Sequence, residues 1–343
     1  MDYIKIAESV FDQTKYKPLK IDITNLAENM ALLNNMGLSK LNKRLVESGR
    51  KVWDTIAEHN FACDLARYHT EEILIDYEPN EDFSGCYIKC PPDYRVIFDG
   101  ITFWLQTKNL SKPERENRQE KAIGKIKEKL MDVQLNKYYW VDYDSEFGEA
   151  DINSFSDFIK GKALNSNEYE EYKYELPDGQ VKMKVSFWTP KNTVLTHLTM
   201  GGSGDIDCVN TTGEDSTQIK SSLAKASKAF MWNTDESKIN IVVLEANNHD
   251  NIDICEAVFG QEVFIYGKDG HHSWYRDNDG FFNMEEYTDR VAGVIALRCK
   301  DTKSPICSYS KILFINEKFN DRLDRILKVV DIQKVVYFNE LID

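Results

Sequence analysis

Residues 91–110 read PPDYRVIFDGITFWLQTKNL. Apolar and polar residues alternate on both sides of Asp99-Gly100, the strongest short-range signal for a β-hairpin. With Asp99-Gly100 as a two-residue loop, Phe98 pairs with Ile101 and Asp93 falls opposite Gln106. Facing Cβ atoms in such a pair lie about 4.5–5.5 Å apart. Side chains alternate faces along a strand. Tyr94, Val96, Phe98, Ile101, Phe103 and Leu105 are therefore expected to enter a core. Asp93, Arg95, Thr102, Gln106 and Lys108 take the other face, with Ile97 and Trp104 among them.

One register thus gathers a carboxylate, an amide and an ammonium. Hydrolysing a phosphodiester calls for a hard cation, and Mg²⁺ takes oxygen ligands, one or two of them carboxylates, and keeps several waters. Asp93 offers a carboxylate, Gln106 its amide oxygen and Thr107 its carbonyl. Lys108 can position a water and stabilise charge on a phosphate.

Working outward, residues 24–50 are helical in pattern, with a break expected at Gly37. Val52 to Tyr68 forms a second helix with Trp53, Ile56, Ala57, Phe61, Leu65 and Tyr68 at helical spacing. Ile73 to Tyr77 is a short strand, and Cys86 to Lys89 an edge strand. A long helix runs from about Pro113 to Met131, and Tyr138 to Tyr143 is a strand. Further on, Tyr172–Leu176 and Val181–Trp188 are strands joined at Asp178-Gly179, Gly201–Gly204 is a loop, and Ser216–Phe230 is a helix. Ile239–Leu244, Val291–Leu297 and Ile312–Ile315 are runs suited to buried strands. The alternation predicts an α/β chain with a mixed sheet.

Pro92-Asp93, twelve residues, then Gln106-Thr107-Lys108 resembles the PD-(D/E)xK nuclease superfamily, the restriction-endonuclease-like fold. Its core of helix, three strands, helix and further strand is similar to the order from Val52 to Tyr143. The resemblance covers about a quarter of the chain. It implies a restriction-endonuclease-like mixed sheet flanked by helices, Mg²⁺ or Mn²⁺ as the metal, and an acid on the first helix. Glu58 resembles that acid by position. The implied site is Asp93, Gln106, Lys108 and Glu58, with Asp93, Gln106 and Glu58 as metal ligands. The chain departs from the pattern at Gln106, where the superfamily carries an acid. A neutral ligand lowers metal affinity and leaves open an inactive descendant.

Composition is ordinary for a globular chain of 343 residues, 42% hydrophobic and 29% charged. No apolar run approaches a membrane span. The N-terminus has no apolar segment of signal-peptide type. Seven scattered cysteines suggest reduced thiols and a cytoplasmic setting. The net charge of −14 counts against a nucleic-acid binder, but it is uneven: −2 over residues 1–135 and −12 over the remainder. Arg115, Arg118, Lys121, Lys125 and Lys129 share one helix face, a candidate phosphate contact; a solvated face paired with Glu114, Glu116 and Glu120 is the alternative. Cys86 and Cys90 lack partners at zinc spacing. Asp277–Gly280 with Glu286 fails the calcium-loop pattern at Tyr275. His271-His272 reads as an exposed turn.

Two domains are expected: residues 1–150, N-terminal helices plus the nuclease-like domain, and residues 151–343, an acidic α/β domain of unknown role, with recognition of a protein partner, homodimer formation and regulation of the nuclease as the open alternatives. The expected function is a Mg²⁺-dependent nuclease acting on nucleic acid, DNA by preference, in a setting such as restriction or phage defence. The alternative is a catalytically inactive interaction or regulatory protein on the same fold.

Overall fold

The computed structural model describes residues 2–14, 16–68, 73–79, 91–110, 114–143, 147–190, 195–200, 216–230, 238–266, 272–300 and 304–340. The expected edge strand at Cys86–Lys89, the Gly201–Gly204 loop and His271 lie outside them. In chain order the first elements are α1 (Tyr3–Phe11), α2 (Lys20–Asn35), α3 (Ser39–Glu47), α4 (Val52–Tyr68), β1 (Leu74–Tyr77), β2 (Tyr94–Phe98) and β3 (Ile101–Asn109). Next come α5 (Glu114–Met131), β4 (Tyr138–Tyr143), α6 (Ile152–Leu164), β5 (Glu171–Glu175), β6 (Val181–Trp188) and β7 (Thr199–Met200). The chain continues through α7 (Ser216–Ser227), β8 (Ile239–Glu245), α8 (Asn251–Phe259), β9 (Glu262–Tyr266) and β10 (His272–Arg276). It ends with α9 (Glu285–Thr288), β11 (Gly293–Cys299), β12 (Tyr309–Ile315), α10 (Leu323–Val329) and β13 (Lys334–Val336).

These elements make two compact units, one from residues 1–111 and 212–343, the other from residues 112–211. This division differs from the expected boundary at residue 150, and the reason is strand pairing. β3 pairs in parallel with β8, from Phe103 opposite Ile239 to Asn109 opposite Glu245. Strands β8, β11, β12 and β13 of the acidic second half therefore complete the sheet begun by the hairpin.

The first unit is built on a seven-stranded mixed sheet ordered β1-β2-β3-β8-β11-β12-β13. The hairpin register is as counted: Phe98 faces Ile101 and Tyr94 faces Leu105. Asp99 and Gly100 have φ of 48° and 72°, the two positive values that a tight turn matched to strand twist requires. Tyr94, Val96, Phe103 and Leu105 join Ile239, Ile241 and Val243 in one core, against Phe61 and Leu65 of α4. The other face is not uniformly polar. Trp104 is 1% exposed and packs with Ile219 and Leu223 of α7 and with Val242 and Leu244. Burial on both faces explains the apolar run of residues 241–244 in β8.

On the first face, α2 and α3 separate at Gly37, whose φ of 80° ends the first helix, while the Leu38 N–H returns to the Leu33 carbonyl at 2.8 Å. α4 carries Asp54 in its first turn and Arg67 in its last, each complementing the helix dipole. A separate core of α1, α2, α3 and the start of α4 includes Phe11, Leu26, Leu45 and Ile56. β9 and β10 form a two-stranded ladder.

The second unit has a four-stranded sheet ordered β5-β6-β4-β7. Its core joins Ile123 and Ile126 of α5 and Phe155 and Ile159 of α6 to Tyr139, Val141, Val185 and Phe187 of the sheet. β4 was expected to follow β3 in one core, with α5 between them. It belongs to this second sheet, and the strand beside β3 in the first sheet is β8.

Cys299 and Cys307 form a disulfide across the connection from β11 to β12, with Cα atoms 5.7 Å apart. This departs from the expected set of reduced thiols, because antiparallel pairing brings the two ends of that connection together. Cys63 and Cys255 are free and buried. Among the described residues no helix is long and apolar enough to cross a membrane.

Candidate functional site

β3, β8 and β11 run parallel, and a cleft of about 1210 Å³ opens at their carboxyl ends. Open α/β sheets place ligand crevices at such ends. All its lining residues belong to the first unit. β2 runs antiparallel to β3, so the residue before it, Asp93, is delivered to the same place.

Asp93 Oδ2 is held by three donors. The Gln106 amide donates to it at 2.7 Å, the Thr107 backbone N–H at 2.8 Å, and the Thr107 hydroxyl also donates. The Gln106 Oε1 is buried and has no hydrogen-bond partner. Lys108 lines the cleft two residues on and is exposed. The register therefore brings Asp93, Gln106 and Lys108 to one cleft. Burial pushes the Asp93 carboxyl up, against the opposing effect of the Thr107 hydrogen bonds and the Arg44 charge.

Glu58 enters from α4 and is 8% exposed. Tyr77 donates to its Oε2 at 2.8 Å, and Arg44 of α3 reaches its Oε1 at 3.3 Å. Arg44 also donates to Glu78 at 2.9 Å and to the Tyr77 hydroxyl. The Tyr94 hydroxyl fixes the α4 backbone by donating to the Glu58 carbonyl at 2.8 Å. Burial, reinforced by the neighbouring Asp93 charge, pushes the Glu58 carboxyl from 4.5 up to about 7, with Arg44 and Tyr77 opposing. Asp93 and Glu58 are thus two carboxylates sharing one partly desolvated space, and each makes the other's charge more costly.

Glu47, Asp54, Glu78, Glu245 and Glu286 also line the cleft. Asp54 accepts from the Asn109 amide at 3.2 Å. Glu245, the last residue of β8, accepts from the Tyr309 hydroxyl at 3.0 Å and the Asn247 amide at 3.1 Å; burial raises its carboxyl. Glu245 had a signal in the sequence, since it is the charge that ends an otherwise apolar buried strand. Arg44 and Tyr77 had none, because their roles come from α3 and β1 packing on α4.

The cations expected to touch phosphates belong to the other unit. α5 belongs to the second unit, so Arg115, Arg118, Lys121 and Lys125 are not carried on the sheet that bears Asp93. The side chains of Arg115 and Arg118 lie outside the described residues. Lys125 pairs with Glu149, which follows from the packing of α5 against α6.

Among the described residues, no group of three or more His, Cys, Asp or Glu side chains is placed to hold one metal ion. The donors that could face a cation are Asp93, Glu58 and the amide oxygen of Gln106. They fit a hard cation in kind: two carboxylates whose charges oppose each other, and a buried amide oxygen with no partner. In comparisons with known proteins, no family model, no curated protein and no solved structure matches this chain.

Proposed function

We propose that the first unit is a metal-dependent nuclease hydrolysing phosphodiester bonds in nucleic acid, with DNA as the expected substrate. The observation that carries this reading is the pairing of Asp93 with Gln106, with Lys108 beside them and Glu58 facing Asp93, at the carboxyl ends of parallel strands. The order α4, β1, β2, β3, α7, β8 supports a restriction-endonuclease-like core in which residues 112–211 are an insertion. DNA as substrate and a role in restriction or phage defence rest on analogy with that superfamily.

A Mg²⁺ or Mn²⁺ ion in this cleft supplies Lewis acidity toward the phosphate and the attacking water. Asp93 and Glu58 would hold it, with the Gln106 amide turned to present its oxygen. The Thr107 N–H and hydroxyl on Asp93 Oδ2 fix that carboxylate without consuming Oδ1. The Lys108 ammonium is free to orient a water and to stabilise charge on the phosphate oxygens.

The purified protein is expected to nick or cut DNA with Mg²⁺ or Mn²⁺, and Asp93→Ala or Lys108→Ala to lower the rate at least ~100-fold. Absence of cleavage with either metal across pH and substrate forms sinks the reading. Gln106 specifically favours a second reading, a catalytically inactive nuclease-fold interaction protein, since it supplies no charge for the metal. Under that reading nucleic acid still binds but is never cut.

A further inference from the structure

Seven cationic side chains line the cleft, and they fall into two sets. Lys40 pairs with Glu78, Lys43 with Glu47, and Arg44 with both Glu58 and Glu78. The ammonium groups of Lys51, Lys108, Lys225 and Lys228 have no ion-pair or hydrogen-bond partner among the described residues. All four are exposed. Lys108 belongs to the reacting centre. The other three come from separate places: Lys51 just before α4, Lys225 in the last turn of α7, and Lys228 three residues further on, where helical spacing keeps it near Lys225.

Uncommitted cations are conspicuous in a chain of net charge −14. Glu58, Asp93 and Glu245, deeper in the same cleft, are hydrogen-bonded to its walls, while Asp54 and Glu286 line it as exposed acids. Exposed cations without a partner therefore outnumber exposed acids without an ion pair, four to two. No aromatic side chain lines the cleft among the described residues, so base stacking is not available there. A polyanion meeting this rim meets it through phosphates, which position a strand without reading its sequence.

We infer that Lys51, Lys225 and Lys228 form a phosphate-binding track that holds the nucleic-acid backbone on either side of the reacting phosphodiester, indifferent to sequence. The inference rests on the nuclease reading but is tested apart from cleavage. Fluorescently labelled oligonucleotide duplexes of two unrelated sequences are titrated with full-length protein in EDTA, over a series of NaCl concentrations. Each phosphate contact contributes about 0.9 to the slope of log K against log salt on duplex DNA. The triple variant Lys51→Ala, Lys225→Ala, Lys228→Ala is expected to lose ~2–3 of that slope and to weaken both sequences equally. Replacing the same three lysines by arginine is expected to keep the slope, and the melting temperature of each variant checks the fold.

An unchanged slope in the triple alanine variant overturns the inference. So does loss of the slope in Lys121→Ala, Lys125→Ala instead, equal competition by polyglutamate, or a wild-type protein that binds no oligonucleotide. A wild-type protein that binds with a lysine-dependent slope but never cuts with Mg²⁺ or Mn²⁺ upholds the track and removes the nuclease reading.

Discussion

Glu58 is buried beside Asp93, and its charge is tolerated only because Arg44 and Tyr77 face it. In the metal-free protein this has a definite sign. The folded chain holds the Glu58 proton up to about 7, whereas the unfolded chain releases it near 4.5. Between those values the folded state binds more protons, so stability falls as pH rises through the window and stays lower above it. At roughly 1.4 kcal/mol per pH unit, the loss is at most ~3.5 kcal/mol. Glu58→Gln, neutral at every pH, is therefore expected to melt higher than the wild type at pH 8 without metal, with the gain vanishing below pH 4.5. A variant that melts with or below the wild type at pH 8 contradicts this account. At this scale the sequence was informative about Asp93, Gln106 and Lys108, because face and register in a hairpin follow from counting. It placed Glu58 on the right helix. It could not show Arg44, Tyr77, Lys225 or Lys228 at the same cleft, since nothing local marks a surface cation as uncommitted.

The hairpin of β2 and β3 is the element on which the site depends. Its turn was legible in Asp99-Gly100, where two positive φ angles leave few other solutions. Its outer face was less legible. Alternation alone groups Trp104 with Asp93 and Gln106, yet Trp104 is sealed under α7 while Lys108 is exposed. The face changes character along the strand because α7 covers the part that bears Trp104 and leaves the carboxyl end of β3 open at the cleft. Trp104→Ala is expected to cost ~3–5 kcal/mol through lost burial and an unfilled cavity. The measurement is the urea midpoint of the purified variant. A cost below 1 kcal/mol shows that α7 does not depend on this contact.

At the scale of the molecule, the division of the chain was the least legible feature. The pairing of β3 with β8 joins segments far apart in sequence, and no local pattern announces a long-range parallel pair. The charge asymmetry between the halves was real but did not mark a boundary. Residues 112–211 own a core in which Phe155, Ile159, Val185 and Phe187 are buried together, which is what an independently folding unit needs. Expressed alone, this segment is expected to unfold in one cooperative transition by circular dichroism; a non-cooperative melt shows that it depends on the rest of the chain. The insertion also has a consequence in time. A ribosome adding roughly 5–20 residues per second takes on the order of ten seconds to pass from Asn109 to Glu245. During that interval the nascent hairpin exists with one strand edge unpaired, the kind of edge that recruits other chains. Asp93 and Lys108 have been made, but the wall bearing Glu245, Lys225 and Lys228 has not. The cleft is therefore completed only late in synthesis, and until then the edge of β3 that β8 will cover stays open.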